Sequence, residues 1–178
     1  MEVRTERTSE LTSKINDLRV LNKVCTRCDI GQPVRLGIGN CEAKIMIVGD
    51  APTSELIPFE SRNGALIDKI TKWFGTNRKQ CYLTYLTKCN TKVAQHRKNC
   101  DWINKEIETI KPKLIITFGK NSVKHILKLR GNVDDMLWRP HNYTWGTLLA
   151  LPPIATVLHH KIDDLKESCL NAKNMCGF

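Results

Sequence analysis

The chain has 178 residues, 41% of them hydrophobic, enough to bury one ordinary core, and no long polar linker divides it, so a single domain over 1–178 is expected. Its 28 Lys and Arg against 18 Asp and Glu leave a formal net charge of +10, which favours a polyanionic partner through counterion release and steering, although charge alone does not name it. Met1–Ser13 lacks the apolar stretch and cleavage site of a secretory leader, and no run approaches the ~20 apolar residues of a membrane span, so the expectation is an intracellular, cytoplasmic protein that does not enter a membrane.

From Ser9 to Val24, the residues Leu11, Ile15, Leu18, Leu21 and Val24 recur at three- and four-residue steps. That is the stripe of an amphipathic helix, and it leads directly to Cys25. Ala43–Gly49 (AKIMIVG) predicts a buried parallel strand closed by Gly and Pro, followed by a loop of unusual composition over 50–63. Leu66, Ile67, Ile70, Trp73 and Phe74 then predict a helix that Gly75 ends. Cys81–Thr87 predicts a second strand, Trp102–Ile110 a helix stopped by Lys111-Pro112, and Leu114–Phe118 a third strand stopped by Gly119. Asn121–Leu129 predicts a further helix with Asn121 as its cap.

Between Gly131 and Pro153 the pattern weakens, and Trp138, Tyr143 and Trp145 fit either a core or a lid. Ile154–Leu158 predicts a fourth strand and Asp163–Lys173 a closing helix. Alternating strands and helices imply an α/β fold, a three-layer α/β/α sandwich about a four-stranded parallel sheet. Sites in such sheets gather outside the carboxyl ends of the strands, where the loops after Val48, Leu86 and Leu158 are expected.

Basic residues cluster as well as accumulate. Lys120, Lys124 and Lys128 recur at helical spacing, while Lys88, Lys92, Arg97 and Lys98 crowd one loop that fits phosphate contact. Cysteines flank that loop: Cys89 and Cys100 lie on either side of it, and Cys25-Thr-Arg-Cys28 stands at the end of the first helix. Two thiolates one turn apart can grip one metal centre, and a second pair completes fourfold sulfur ligation. Spacing alone leaves zinc and an iron–sulfur cluster equally open; a thioredoxin-type dithiol fits less well, because that motif follows a strand and opens a helix. Cys41, Cys81, Cys169 and Cys176 read as ordinary thiols.

Several segments in order resemble the family-four, iron–sulfur branch of the uracil-DNA glycosylase superfamily. Gly39-Asn40 and the Ala43–Val48 strand running into Gly49-Asp50-Ala51-Pro52 resemble that family's GN pair, IMIVG strand and GE(A/G)PG loop. Pro58–Gly64 (PFESRNG) resembles its PFVGRAG turn, and Tyr82–Cys89 (YLTYLTKC) its YITNVVKC strand. Lys111–Gly119 is similar to the PK.II..LG segment, Arg130-Gly131 to an RG pair, and Thr156–His159 to the stretch leading into an HP motif. The likeness runs from about Leu18 to Leu165.

What the resemblance implies is a monomeric, DNA-binding glycosylase with a [4Fe–4S] cluster on Cys25, Cys28, Cys89 and Cys100. A glycosylase must extrude a nucleotide, hold its base by stacking and edge hydrogen bonds, and stabilise charge as the C1′–N bond breaks. By position, Phe59 is the stacking ring, Asp50 orients water with a shorter reach than the family's Glu, Ala51 lines the pocket floor, and His159 donates to the base oxygen. Arg62, Lys88, Lys92, Arg97, Lys98 and Lys161 are the expected DNA contacts. Tyr85 stands where the family has an Asn whose amide reads the uracil edge; a phenol lacks that donor–acceptor pair and its bulk intrudes on the pocket. Thr53 replaces the loop's second Gly, His160 the proline, and Lys161–Leu165 a wedge that here carries Asp163 and Asp164. The alternative implied is a relative that binds DNA without excising a base.

Overall fold

The computed structural model describes residues 2–23, 37–52, 58–60, 62–89 and 101–178. Cys25, Cys28, Thr53, Lys92, Arg97, Lys98 and Cys100 lie outside the described residues. In chain order the elements are α1 (Glu2–Lys23), β1 (Ile38–Gly39), β2 (Ile45–Gly49), α2 (Arg62–Trp73), β3 (Tyr82–Tyr85), α3 (Trp102–Ile110) and β4 (Leu114–Phe118). There follow α4 (Lys120–Ile126), β5 (Arg139–Tyr143), β6 (Gly146–Leu151), α5 (Ile154–Leu158) and α6 (Ile162–Cys176).

The six strands form one sheet in the order β1-β3-β2-β4-β6-β5. β3, β2, β4 and β6 run parallel, while β1 and β5 close the edges antiparallel. The expected four-stranded parallel centre is therefore present, with two short edge strands added. Side chains on a strand alternate between faces, and the core divides accordingly. Ile45, Ile47, Leu83, Leu114 and Ile116 face Leu66, Ile67 and Ile70 of α2 and Leu165, Cys169 and Ala172 of α6. Met46, Val48, Tyr82 and Ile115 face Ile15 of α1, Ile103 and Ile107 of α3, and Val123 of α4. Both faces are covered, as a parallel sheet requires.

Two expectations are corrected. Ile154–Leu158 is a short helix, not the fourth strand. That strand is Gly146–Leu151, every residue of which after Gly146 is buried. The β-branched look of Ile-Ala-Thr-Val misleads because Pro153, at φ −50°, presets the backbone for a helical turn where the chain leaves the sheet. The second correction concerns Asn121, which lies inside α4 and does not cap it; Gly119 holds the cap position at φ 124°, open to glycine alone.

Candidate active site at the carboxyl edge of the sheet

The ends of β2, β3 and β4 bring Gly49, Asp50, Tyr85 and Phe118 to one edge. Leu86 N–H donates to Gly49 O at 2.7 Å and Thr87 N–H to Asp50 O at 3.1 Å, so the β2 and β3 loops stay joined past the last paired residues. Phe59 reaches this edge from the loop before α2. Its ring is 2% exposed and stacks on Tyr85 with centroids 5.2 Å apart at 29°, while Phe118 packs against it at 6.1 Å. The Tyr85 hydroxyl accepts from Phe59 N–H at 3.4 Å. A Cβ on Gly49 would fall 2.8 Å from the Tyr85 ring and 3.1 Å from Phe59, so glycine there is what lets the two rings meet over the strand.

Phe59 has φ 59°, a left-handed backbone costly for a bulky side chain. Arg78 fixes it: Nη1 donates to Phe59 O at 3.0 Å, and Nε pairs with Asp68 at 2.7 Å. No local sequence pattern signals this clamp, because Arg78 lies 19 residues from Phe59 in the chain.

Asp50 is half-buried, and its carboxylate is occupied. Oδ1 accepts from Ser122 N–H at 2.7 Å and from the Ser122 hydroxyl; Oδ2 accepts from the Asn121 amide at 2.9 Å and from Asn121 N–H at 3.4 Å. These are the second and third residues of α4, whose first amides have no partner in their own helix, so Asp50 serves as a cap supplied from another strand. Ala51 follows, half-buried, and Pro52 is buried.

Lys88 requires a correction. Expected to contact phosphate, it is 2% exposed, and its ammonium donates to Glu106 Oε2 at 2.6 Å, to Tyr85 O at 2.9 Å and to the Thr84 hydroxyl. Glu106 also accepts from Thr84 at 2.9 Å and Tyr82 at 3.1 Å. A buried carboxylate needs such a set of donors, and burial of an ammonium needs such an acid. The signal was in the sequence: Glu106 interrupts the apolar face Trp102, Ile103, Ile107, Ile110 of α3, and an acid in a buried stripe calls for a buried cation.

His159 ends α5 and is exposed, as is Lys161 just before α6. His160, which no motif singled out as functional, is the better held imidazole: Nδ1 lies 3.2 Å from Asp164 Oδ2, and the ring packs 4.3 Å from Trp138. Arg62 opens α2. Cys89 is half-buried just past β3, and its carbonyl accepts from the Thr87 hydroxyl at 3.4 Å. Cys41, Cys81, Cys169 and Cys176 lie outside any disulfide, and among the described residues no group of three or more His, Cys, Asp or Glu is placed to hold a metal. Burial pushes the thiols of Cys81 and Cys169 up to about 12. Among the described residues no helix is long and apolar enough to cross a membrane.

The fold is an α/β/α sandwich about a mostly parallel sheet, and it gathers Asp50, Phe59 and Tyr85 at the carboxyl edge, where sheets of this kind place their sites. The profile of the Uracil DNA glycosylase superfamily matches residues 36–172, and the chain belongs to that superfamily. It is similar to the Type-4 uracil-DNA glycosylase of Saccharolobus solfataricus, 26% identical over 160 residues that cover 74% of each chain. It is also similar to proteins of the same name from Sulfurisphaera tokodaii, 28% identical over 137 residues covering 68% of this chain and 62% of the relative, and from Thermotoga maritima, 28% identical over 136 residues covering 65% and 71%.

Proposed function

We propose that the chain is a DNA glycosylase that takes a nucleotide out of DNA at the carboxyl edge of the sheet, with its base preference set by Tyr85. The reaction adds water across the C1′–N bond: hydroxyl goes to C1′, and the proton ends on the base nitrogen. The observation that carries this reading is the superfamily match over residues 36–172, taken with the gathering of Asp50, Phe59 and Tyr85 at one strand edge. In it, Phe59 is the stacking face, the backbone at Asp50 and Ala51 forms the pocket floor, and His159 donates to the oxygen that gains charge. A base reaches Phe59 only when the Tyr85 ring moves off it, and the phenol offers a single edge contact where an amide would offer two.

Phosphates fall to Arg62, Lys92, Arg97, Lys98 and Lys161, so affinity for DNA should drop steeply between about 50 and 200 mM salt. We further infer that Cys25, Cys28, Cys89 and Cys100 hold a [4Fe–4S] cluster. Supporting this are the ordered resemblance to the iron–sulfur branch, the soft thiolate donors and the position of Cys89 in the segment that follows β3. Bound there, the cluster would tie Cys25 and Cys28, which follow α1, to Cys89 and Cys100. Brown protein containing iron and sulfide is the expected result; a colourless anaerobic preparation holding zinc would contradict it.

A second reading, DNA binding without excision, is favoured by one specific observation: the stacking face of Phe59 is covered by Tyr85 while the Asp50 carboxylate is committed to α4. Oligonucleotides carrying uracil, hypoxanthine, xanthine or 5-hydroxymethyluracil separate the two. Release of any one base supports the glycosylase; binding without release from all four supports the second reading.

A further inference from the structure

The amino edge of the parallel sheet, remote from Asp50 and Phe59, carries a second aromatic and basic surface. Trp145 sits in the turn joining β5 to β6 and is 41% exposed. Lys111 Nζ stands 4.8 Å over its ring. That placement is fixed by backbone, because Lys111 is the left-handed C-cap of α3 (φ 49°) and its N–H donates to Ile107 O at 2.7 Å. The turn is pinned in its turn by Thr147 N–H donating to Lys113 O at 2.9 Å. The indole lines two hollows. One, of about 240 Å³, is also lined by Asn104, Glu108, Lys128 and Thr144; the other, of about 280 Å³, by Lys113, Asn142 and Thr147.

We propose that this edge binds single-stranded nucleic acid, with a base stacked against Trp145 and phosphates neutralised by Lys111, Lys113 and Lys128. Three lysines against the one carboxylate of Glu108 make the patch complementary to a polyanion. An exposed indole flanked by hollows adds a site for planar groups, and a single strand is the ligand class that brings both charge and planar rings. The side-chain amides and hydroxyls of Asn104, Asn142 and Thr144 can donate or accept at any base edge, which fits binding without sequence preference. An acidic peptide would satisfy the lysines and leave the hollows beside the indole without a planar occupant. The inference does not rest on the glycosylase reading, since none of its residues lies at the carboxyl edge.

The test uses the whole chain and a labelled oligothymidylate. Trp145→Ala should weaken binding roughly fivefold to a hundredfold, the worth of one stacked base, while Trp145→Phe retains most of the affinity. Lys111→Ala with Lys113→Ala should flatten the dependence of log affinity on log salt by about 0.7 per lysine. Ultraviolet crosslinking followed by peptide mapping should place adducts on the Thr144–Gly146 turn. Unchanged affinity in Trp145→Ala with adducts confined to other segments would overturn the proposal. So would protection of Trp145 from quencher by polyglutamate and not by the oligonucleotide, which would assign the surface to an acidic protein. Should Trp145→Ala fail to fold, Trp145→Phe, the lysine pair and the crosslink map decide the question.

Discussion

The two edges of the parallel sheet deploy the same residue types in opposite ways. At the carboxyl edge two charges are turned inward, Lys88 paired with Glu106 in the core and Asp50 bound to the first turn of α4, while Lys120 and Lys161 stay exposed. The aromatics Phe59 and Tyr85 are buried against each other. At the amino edge Lys111 and Lys113 are exposed, and Trp145 shows 41% of its surface. Net charge therefore locates nothing by itself. Lys88, one residue before Cys89, is half of a buried ion pair, and Trp145, in a stretch where the sequence pattern weakens, is exposed.

The largest effect expected from breaking this contrast is at Lys88. Lys88→Met strands the Glu106 carboxylate in the core and should cost about 3–5 kcal/mol in urea unfolding, with much of it recovered when Glu106→Leu is added. A loss under about 0.5 kcal/mol would mean that Lys88 behaves as an ordinary surface cation. Asp50→Ala removes the cap from α4 and should cost about 1–2 kcal/mol, measured in the same way, with Asp50→Asn between it and wild type. If Asp50→Ala abolishes base release while leaving stability unchanged, the carboxylate belongs to the chemistry and not to the cap.

A smaller effect concerns pH. Burial holds the His125 imidazole below its ordinary value of 6.5, so the unfolded chain takes up that proton first. Stability should be full above 6.5 and decline as pH falls through the lowered value; His125→Gln should flatten that part of the curve. Its ring nitrogen lies 3.2 Å from Asn104 Oδ1 at the amino edge, so loss of the pH dependence also reports on how rigidly that edge is built.

The centre of the fold is legible because burial writes it into the chain. β4 and α3 fall where an unbroken apolar run and a three-to-four-residue stripe place them, and Gly119 and Lys111-Pro112 mark their ends. β6 was not legible: Gly-Thr-Leu-Leu-Ala-Leu has no alternation and few β-branched residues, and only its position between β4 and β5 makes it a strand. β5, Arg-Pro-His-Asn-Tyr, is polar and half-exposed and owes its form to pairing with β6. In the site, the motif order led to Asp50, Phe59 and Tyr85, which the fold does bring together. The partners of those residues were hidden, since Asn121, Ser122 and Arg78 act across long sequence separations on which local patterns are silent.

The Tyr85 ring stacks on Phe59, and in the proposed glycosylase reading it occupies the face on which a base would lie. Uracil release from a uracil-containing single strand, compared between the wild-type chain and Tyr85→Asn, tests it most directly. The amide restores a donor and an acceptor at the base edge and removes the ring from Phe59, so release should rise by roughly ten- to a hundredfold, the worth of about 1–3 kcal/mol expressed in the transition state. A wild-type chain that already releases uracil, at a rate that Tyr85→Asn lowers or leaves unchanged, would contradict it.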